Sequence, residues 1–321
     1  MLNPMLDAWT SLACTSPWDS APIRFGISLL APLPEPGPGD FVSDRFAADF
    51  GSLRYKLFIP SGYDGSPTPL IVMLHGCGQD ADDFACGTGM NALAEKYHCL
   101  VAYPEQSCGA NGAKCWNWFE KANHHRGQGE PALIAGVARK IISEYAVDTG
   151  KVFVAGLSSG GSMAVILGRT YPDLFTAVGC HSGLAHGAAT DRFGAMRAMR
   201  HGADVDALDG MAAADGVPII VFHGDLDSTV HPRNGGRIVR QSLQSATAAQ
   251  THAQEVGEAT GRTFTRDIHR SATGDIFAEH WTVHGAGHAW SGGSRRGSYT
   301  DANGPDASEQ MLRFFFDRQA A

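Results

Sequence analysis

The sequence has no long apolar run, no block of basic residues and no internal repeat. Its hydrophobic stretches are strand-sized, well short of the roughly 20 residues a membrane-crossing helix needs. Lys and Arg number 25 against 33 Asp and Glu, a formal charge of −8. Without clustered cations the chain is a poor match for nucleic acid, whose phosphates require them, or for an anionic membrane surface. Nor does the N-terminus read as an export signal. Asp7 stands where a basic segment belongs, and Trp9, Ser11, Thr15 and Asp19 interrupt every apolar stretch. On that ground the default expectation is a cytoplasmic protein. Glycine is what the chain has in excess: 39 of 321 residues, about 12% against a usual ~7%. The glycines sit between apolar runs, which suits tight strand-to-helix turns.

The seven cysteines pull the other way. An odd count leaves at least one thiol without a partner. Cys99 and Cys180 lie in strand-like runs and read as buried apolar thiols. Cys77, Cys86, Cys108 and Cys115 fall in loop-like sequence. Of their three pairings the nested one is favoured, Cys77–Cys115 with Cys86–Cys108. Paired cysteines belong to an oxidising compartment, so a secreted protein is the competing expectation.

Residues 31–39 (APLPEPGPG) are proline-rich and read as a linker. The expected organisation is an N-terminal extension with linker over 1–40 and one catalytic domain over 41–321. From Arg54 onward, apolar runs (RYKLFIP, PLIVMLHG, CLVAYP, KVFVAG, FTAVGCH, VPIIVFHG, EHWTVHG) alternate with helical patterns (DDFACGTGMNALAEKY, EPALIAGVARKIISEY, GGSMAVILGRTY, NGGRIVRQSLQSA). A last amphipathic stretch, DASEQMLRFFFDR, has its cap at Asp306 or Ser308. Alternation of this kind predicts an α/β fold with a mostly parallel central sheet and helices on both faces.

Three motifs carry chemistry. VFVAGLSSGGSMAVIL holds G-x-S-x-G at a strand-to-helix junction, with Ser158 at its centre. A serine on so sharp a turn needs small neighbours, Gly156 and Gly160, and presents its hydroxyl above the sheet. VPIIVFHGDLDSTV ends a buried strand at His223-Gly224 and offers two acids. The spacing H-G-x-x-D-x-x-V selects Asp227, with Asp225 the competitor. HWTVHGAGHAWSGG spaces His280, His284 and His288 at i, i+4, i+8. On a helix that would suggest a metal, but Gly285 and Gly287 break a helix, so no metal is expected. His288, in the loop beyond the last apolar strand, is the expected base and His284 the fallback. The order Ser158, Asp227, His288 is that of α/β-hydrolases and not of chymotrypsin or subtilisin. LHGCGQ supplies the remaining part. The backbone N–H groups of Cys77 and Ser159 are the expected oxyanion hole.

These segments, together with AYPEQ, CWNWFE, GEPALIAGV, HSGLAHGAA and GPDASEQMLRFF, resemble the polyhydroxyalkanoate (polyhydroxybutyrate) depolymerase family of esterases over roughly residues 50–318. Feruloyl and acetylxylan esterases of the same superfamily are similar in turn. The resemblance implies the α/β-hydrolase fold, the triad Ser158–Asp227–His288, an oxyanion hole at Cys77 and Ser159, and no cofactor. It also implies that tryptophans of CWNWF and HAWSGG face substrate. Trp116 and Trp281 read as core, leaving Trp118 and Trp290 as the expected substrate contacts, where flat indole faces would suit a weakly polar polyester. The expected substrate is a polyester or oligoester of 3-hydroxybutyrate, with feruloyl or acetyl sugar esters second. Acyl transfer to an alcohol and a non-catalytic binding role are the rival classes. Residues 184–215 form an insertion where a lid would sit.

Overall fold

A parallel strand covered by helices on both faces has no solvent side, so its residues are apolar throughout, and the apolar runs of this sequence become such strands. The computed structural model describes residues 38–203, 216–244 and 251–317. Its main sheet has ten strands: β1 (Asp40–Ala48), β2 (Gly51–Ile59), β3 (Thr68–Leu74), β4 (Leu100–Glu105), β5 (Val147–Leu157), β6 (Ala177–His181), β7 (Ile219–Gly224), β8 (Thr251–Ala259), β9 (Arg262–Arg270) and β10 (Ile276–Val283). Their spatial order is β1-β2-β4-β3-β5-β6-β7-β10-β9-β8. The run from β4 to β10 is parallel. Antiparallel strands extend it on both sides. This is the α/β-hydrolase arrangement that the motif order implied.

Side-chain alternation along β3 divides the core. Leu70, Val72 and Leu74 join the layer beneath α3 (Gly129–Glu144), α4 (Ser159–Thr170) and α6 (Arg233–Gln244). Ile71 and Met73 face the opposite layer, under α1 (Ala81–Thr88), α2 (Met90–Tyr97) and α7 (Ala307–Phe316). Phe153 of β5 stacks on Phe315 of α7 with ring centroids 4.7 Å apart. Each such buried side chain contributes about 1.5–3 kcal/mol.

The structure departs from the sequence pattern in two places and decides between two candidate caps in a third. The helical stretch 82–97 is two helices, because Gly89 adopts φ 65° and ends α1 with its N–H on Ala85 O; glycine enters this left-handed region without steric cost. The cap of α7 is Asp306, whose side chain accepts Glu309 N, while the Ser308 hydroxyl donates to Thr88 O. Finally, the β8–β9 hairpin carries few apolar residues, β1 mixes its apolar residues with charged ones, and neither gave a periodic signal. The hairpin turns on Thr260 and Gly261, both at positive φ, the two-residue geometry that matches strand twist.

The extension and linker up to residue 37 lie outside the described residues, and β1 opens at Asp40. Within the insertion 184–215, α5 (Arg192–His201) is described and residues 204–215 are not. Among the described residues no helix is long and apolar enough to cross a membrane.

Candidate active site

Ser158 sits between β5 and α4 at φ 57° and ψ −117°, strained for a residue with a Cβ. The glycines around it are required by space. A Cβ on Gly160 would lie 2.1 Å from Leu74 O and 2.6 Å from His75 O; one on Gly156 would lie 2.5 Å from Gly160 C and O. The strained backbone is held from below by Ser158 N donating to His181 O at 2.8 Å.

The acid and base loops follow β7 and β10, two neighbouring parallel strands. Gly224 lets them close on each other, since a Cβ there would meet Ala286 O at 2.3 Å. Asp225 N and Leu226 N donate to Val283 O and Ala286 O, which locks the two loops together. Asp227, with a fully buried side chain, accepts His288 Nδ1 at 2.7 Å on Oδ2. Its Oδ1 takes the backbone N–H groups of Thr229 and Val230 at 2.9 and 2.8 Å. His223 Nε2 donates to Val230 O at 2.8 Å and lies 3.4 Å from Asp227 Oδ2. Burial opposes ionisation of Asp227, but its hydrogen bonds with His223 and His288 outweigh it and hold the carboxyl well below the usual range. With Nδ1 committed to Asp227, the other ring nitrogen of His288, Nε2, has no hydrogen-bond partner among the described residues.

Asp225 and His284, the competing acid and base, pair with one another instead. His284 Nδ1 lies 2.9 Å from Asp225 Oδ2, Gly285 N donates to Asp225 Oδ1, and His284 Nε2 meets the Thr265 hydroxyl at 2.9 Å. The three evenly spaced histidines therefore go to different surroundings. No group of three His, Cys, Asp or Glu side chains among the described residues is placed to hold a metal.

The loop after β3 brings Cys77 to the elbow. The Ser159 hydroxyl lies 3.4 Å from Cys77 Sγ; as a half-cystine, Cys77 has no proton, so the hydroxyl is the donor. Cys77 is bonded to Cys115, as expected. Neither the Cys77 nor the Ser159 backbone N–H has an acceptor among the described residues. The loop is braced by Trp116, read from the sequence as core, and by polar groups that the sequence pattern does not mark. Gly76 N donates to Gln79 Oε1, Gly78 N to Ala113 O, and Trp116 Nε1 to His75 O. His75 Nε2 accepts Gln106 N, so its Nδ1–H donates to Gly76 O; burial pushes this ring down to about 4 and keeps it neutral. The buried Glu130 collects Asn117 N, Asn117 Nδ2 and Gln106 Nε2.

Two expectations fail. Cys86 is a free, exposed thiol on α1, so it is not paired with Cys108, which is itself disulfide-bonded. The Cys86 thiol lies within electrostatic reach of Arg296 and Asp83. The tryptophans fail as well. Trp290 is 1% exposed, packs edge-on against Phe84, stacks on His181 and donates Nε1 to Ser308 Oγ. Trp118 is 3% exposed, edge-on to Phe119 in the α3–α4 layer. Both are core, as Trp116 and Trp281 were expected to be.

Residues 53–263 match the model of a family described as esterase PHB depolymerase. Poly(3-hydroxyalkanoate) depolymerase C of Paucimonas lemoignei is 32% identical over 253 residues, covering 76% of this chain and 60% of that protein. The probable acetylxylan esterase A of Aspergillus clavatus is 31% identical over 193 residues, 56% of this chain and 61% of that protein. This chain thus spans about three fifths of the length of either relative. Among solved structures, an acetyl xylan esterase from Aspergillus awamori superposes with a TM-score of 0.64 at 19% identity over 85% of this chain and 98% of that one, a likeness of fold.

Proposed function

The chain belongs to the esterase PHB depolymerase family, and from that premise we propose that it is a serine esterase whose Ser158, His288 and Asp227 cleave the ester bonds of short-chain 3-hydroxyalkanoate polymer or oligomers. The observation that carries the triad is the buried Asp227–His288 bond, with His288 Nε2 left without a hydrogen-bond partner among the described residues at the end of the sheet where Ser158 stands. Ser158 Oγ attacks the ester carbonyl while His288 Nε2 takes its proton, and Asp227 stabilises the imidazolium. The N–H groups of Cys77 and Ser159, both without acceptors, receive the oxyanion. Collapse of this intermediate expels the alcohol with the proton from His288. Water, deprotonated by the same ring, then splits the acyl-enzyme to free acid and Ser158.

The polyester reading rests on the likeness to the Paucimonas enzyme, which covers more of this chain than the acetylxylan esterase does. Those esterases, and the 33% identical feruloyl esterase B of Neurospora crassa, support sugar esters as the second reading. The cystine beside the oxyanion loop supports an oxidising compartment. The test compares rates on hydroxybutyrate oligomers, amorphous polymer, acetylated xylan and methyl ferulate under one condition, with S158A as control. Oligomers should be turned over fastest and S158A should lose at least about 10³-fold. Faster deacetylation of xylan would reassign the substrate; an unimpaired S158A would reassign the nucleophile.

A further inference from the structure

His181 ends β6 with a ring only 1% exposed, and it touches both halves of the site. Its carbonyl accepts Ser158 N at 2.8 Å, fixing the strained elbow. Its ring Nε2 lies 3.1 Å from Ser291 N, in the segment that carries His288. A backbone N–H can only donate, so this Nε2 is the acceptor and bears no proton. Nδ1 then carries the hydrogen and donates to Ser182 Oγ at 3.0 Å. Trp290 and Phe222 stack on the ring, with centroids at 5.2 and 5.8 Å, and clamp its plane. Trp290 and Ser291 are themselves fastened: Trp290 N to Tyr299 O, Ser291 Oγ to Pro305 O.

We propose that His181 is a positioning residue for ester hydrolysis, setting the distance between Ser158 and His288 by holding the elbow through its carbonyl and the base-bearing segment through its unprotonated Nε2. The two attachments lie at the two ends of one residue, so any shift of the ring moves Ser291, and with it His288, relative to Ser158. Asp227 fixes the direction of the His288 ring; the Ser291 amide fixes where its backbone stands. Without that second hold the loop would keep its hydrogen bond to Asp227 yet drift with respect to the serine, and a misplacement of about 1 Å costs on the order of 10²-fold in rate. Burial, with His223 and His288 nearby, pushes the ring down to about 3, which keeps Nε2 an acceptor near neutral pH. The proposal rests on reading Ser158 and His288 as nucleophile and base.

The experiment uses the full chain with p-nitrophenyl butyrate and the variants H181F, H181Q and S158A. Phe preserves the stacking and removes the acceptor; Gln restores an acceptor oxygen. H181F should lower kcat at least about tenfold with KM little changed, and should slow phosphonylation of Ser158 by a fluorophosphonate in parallel. H181Q should recover most of both. In the native protein, 15N-histidine NMR near pH 6 should report His181 as the neutral Nδ1–H tautomer, a measurement that does not depend on any variant folding. The proposal is overturned if the native ring is protonated on Nε2, if H181F keeps a kcat within about twofold of the native chain, or if H181Q is as impaired as H181F while both melt like the native chain. An active S158A removes the nucleophile reading itself, and the proposal with it, whatever His181 does.

Discussion

One residue, Leu226, separates Asp225 from Asp227, and their surroundings differ in every respect that matters to a carboxylate. Asp227 is buried against two histidines and two backbone amides; Asp225 stands partly in solvent with His284 as its partner. Asp227→Asn should therefore cut kcat by about 10³- to 10⁴-fold, through loss of the Nδ1–H tautomer of His288, and Asp225→Asn should leave it within a fewfold. Steady-state rates on one chromogenic ester decide this, and the reverse ranking would exchange the roles. The spacing H-G-x-x-D made Asp227 legible, because the loop leaves the strand at a fixed point. The burial of Trp290 was not legible. It depends on Ser308, Phe84 and His181, each from another part of the chain, and proximity to His288 in sequence gives no hint of them. His181 escaped notice for the same reason: its partners Ser158 and Ser291 are distant in sequence, and its ring looks like any strand-end histidine.

At the scale of elements, the buried strands β3, β4, β6 and β7 declared themselves by apolar runs, while β2, β5 and β10 carry charged residues within or beside theirs. Strands at the sheet margins gave no such run, since β8 faces solvent along most of its length. One polar feature inside an apolar strand also passed without comment. Glu279 of β10 is fully buried and is paired with Arg266 of β9 and Arg313 of α7; Trp281 Nε1 donates to it as well. This carboxylate joins three elements on the strand that leads to His288. Glu279→Ala removes the buried counter-charge of two guanidinium groups that keep only the exposed Glu255 and Asp317, and removing one partner of a buried pair costs up to about 3–5 kcal/mol. Urea denaturation should show a lower midpoint and an unfolding free energy reduced by up to that amount. A shift near zero would mean that the arginines find solvent without strain.

For the whole molecule, burial keeps several histidines neutral. His75 and His280 are pushed down to about 4, and His181 and His186 to about 3, burial being the first cause in each. The unfolded chain takes up these protons near the ordinary value of ~6.5; the native chain does not until the pH is well lower. Between about pH 6.5 and 4 the unfolded state binds more protons, so stability falls as pH falls. Each histidine adds up to about 1.4 kcal/mol per pH unit. Asp227, lowered in the folded state, adds to the loss only further down, as pH drops through the carboxylate range. Denaturation midpoints at pH 7 and pH 5 should differ clearly, with the lower value at pH 5; equal midpoints would mean that these rings are hydrated in the native chain.

The open margin formed by β8 has a bearing on self-association. A closed barrel hides every strand edge, whereas one side of β8 has no partner strand among the described residues. Such an edge can recruit a strand from another molecule and grow into an aggregate. Here Glu255 and Glu258 stand exposed along β8, and Val256 is the one large apolar side chain it shows to solvent. A second copy approaching this edge would meet like charge and little surface worth burying. Charged, poorly apolar residues along β8 thus guard against fibre-like stacking at the cost of the periodic signal by which a strand is read.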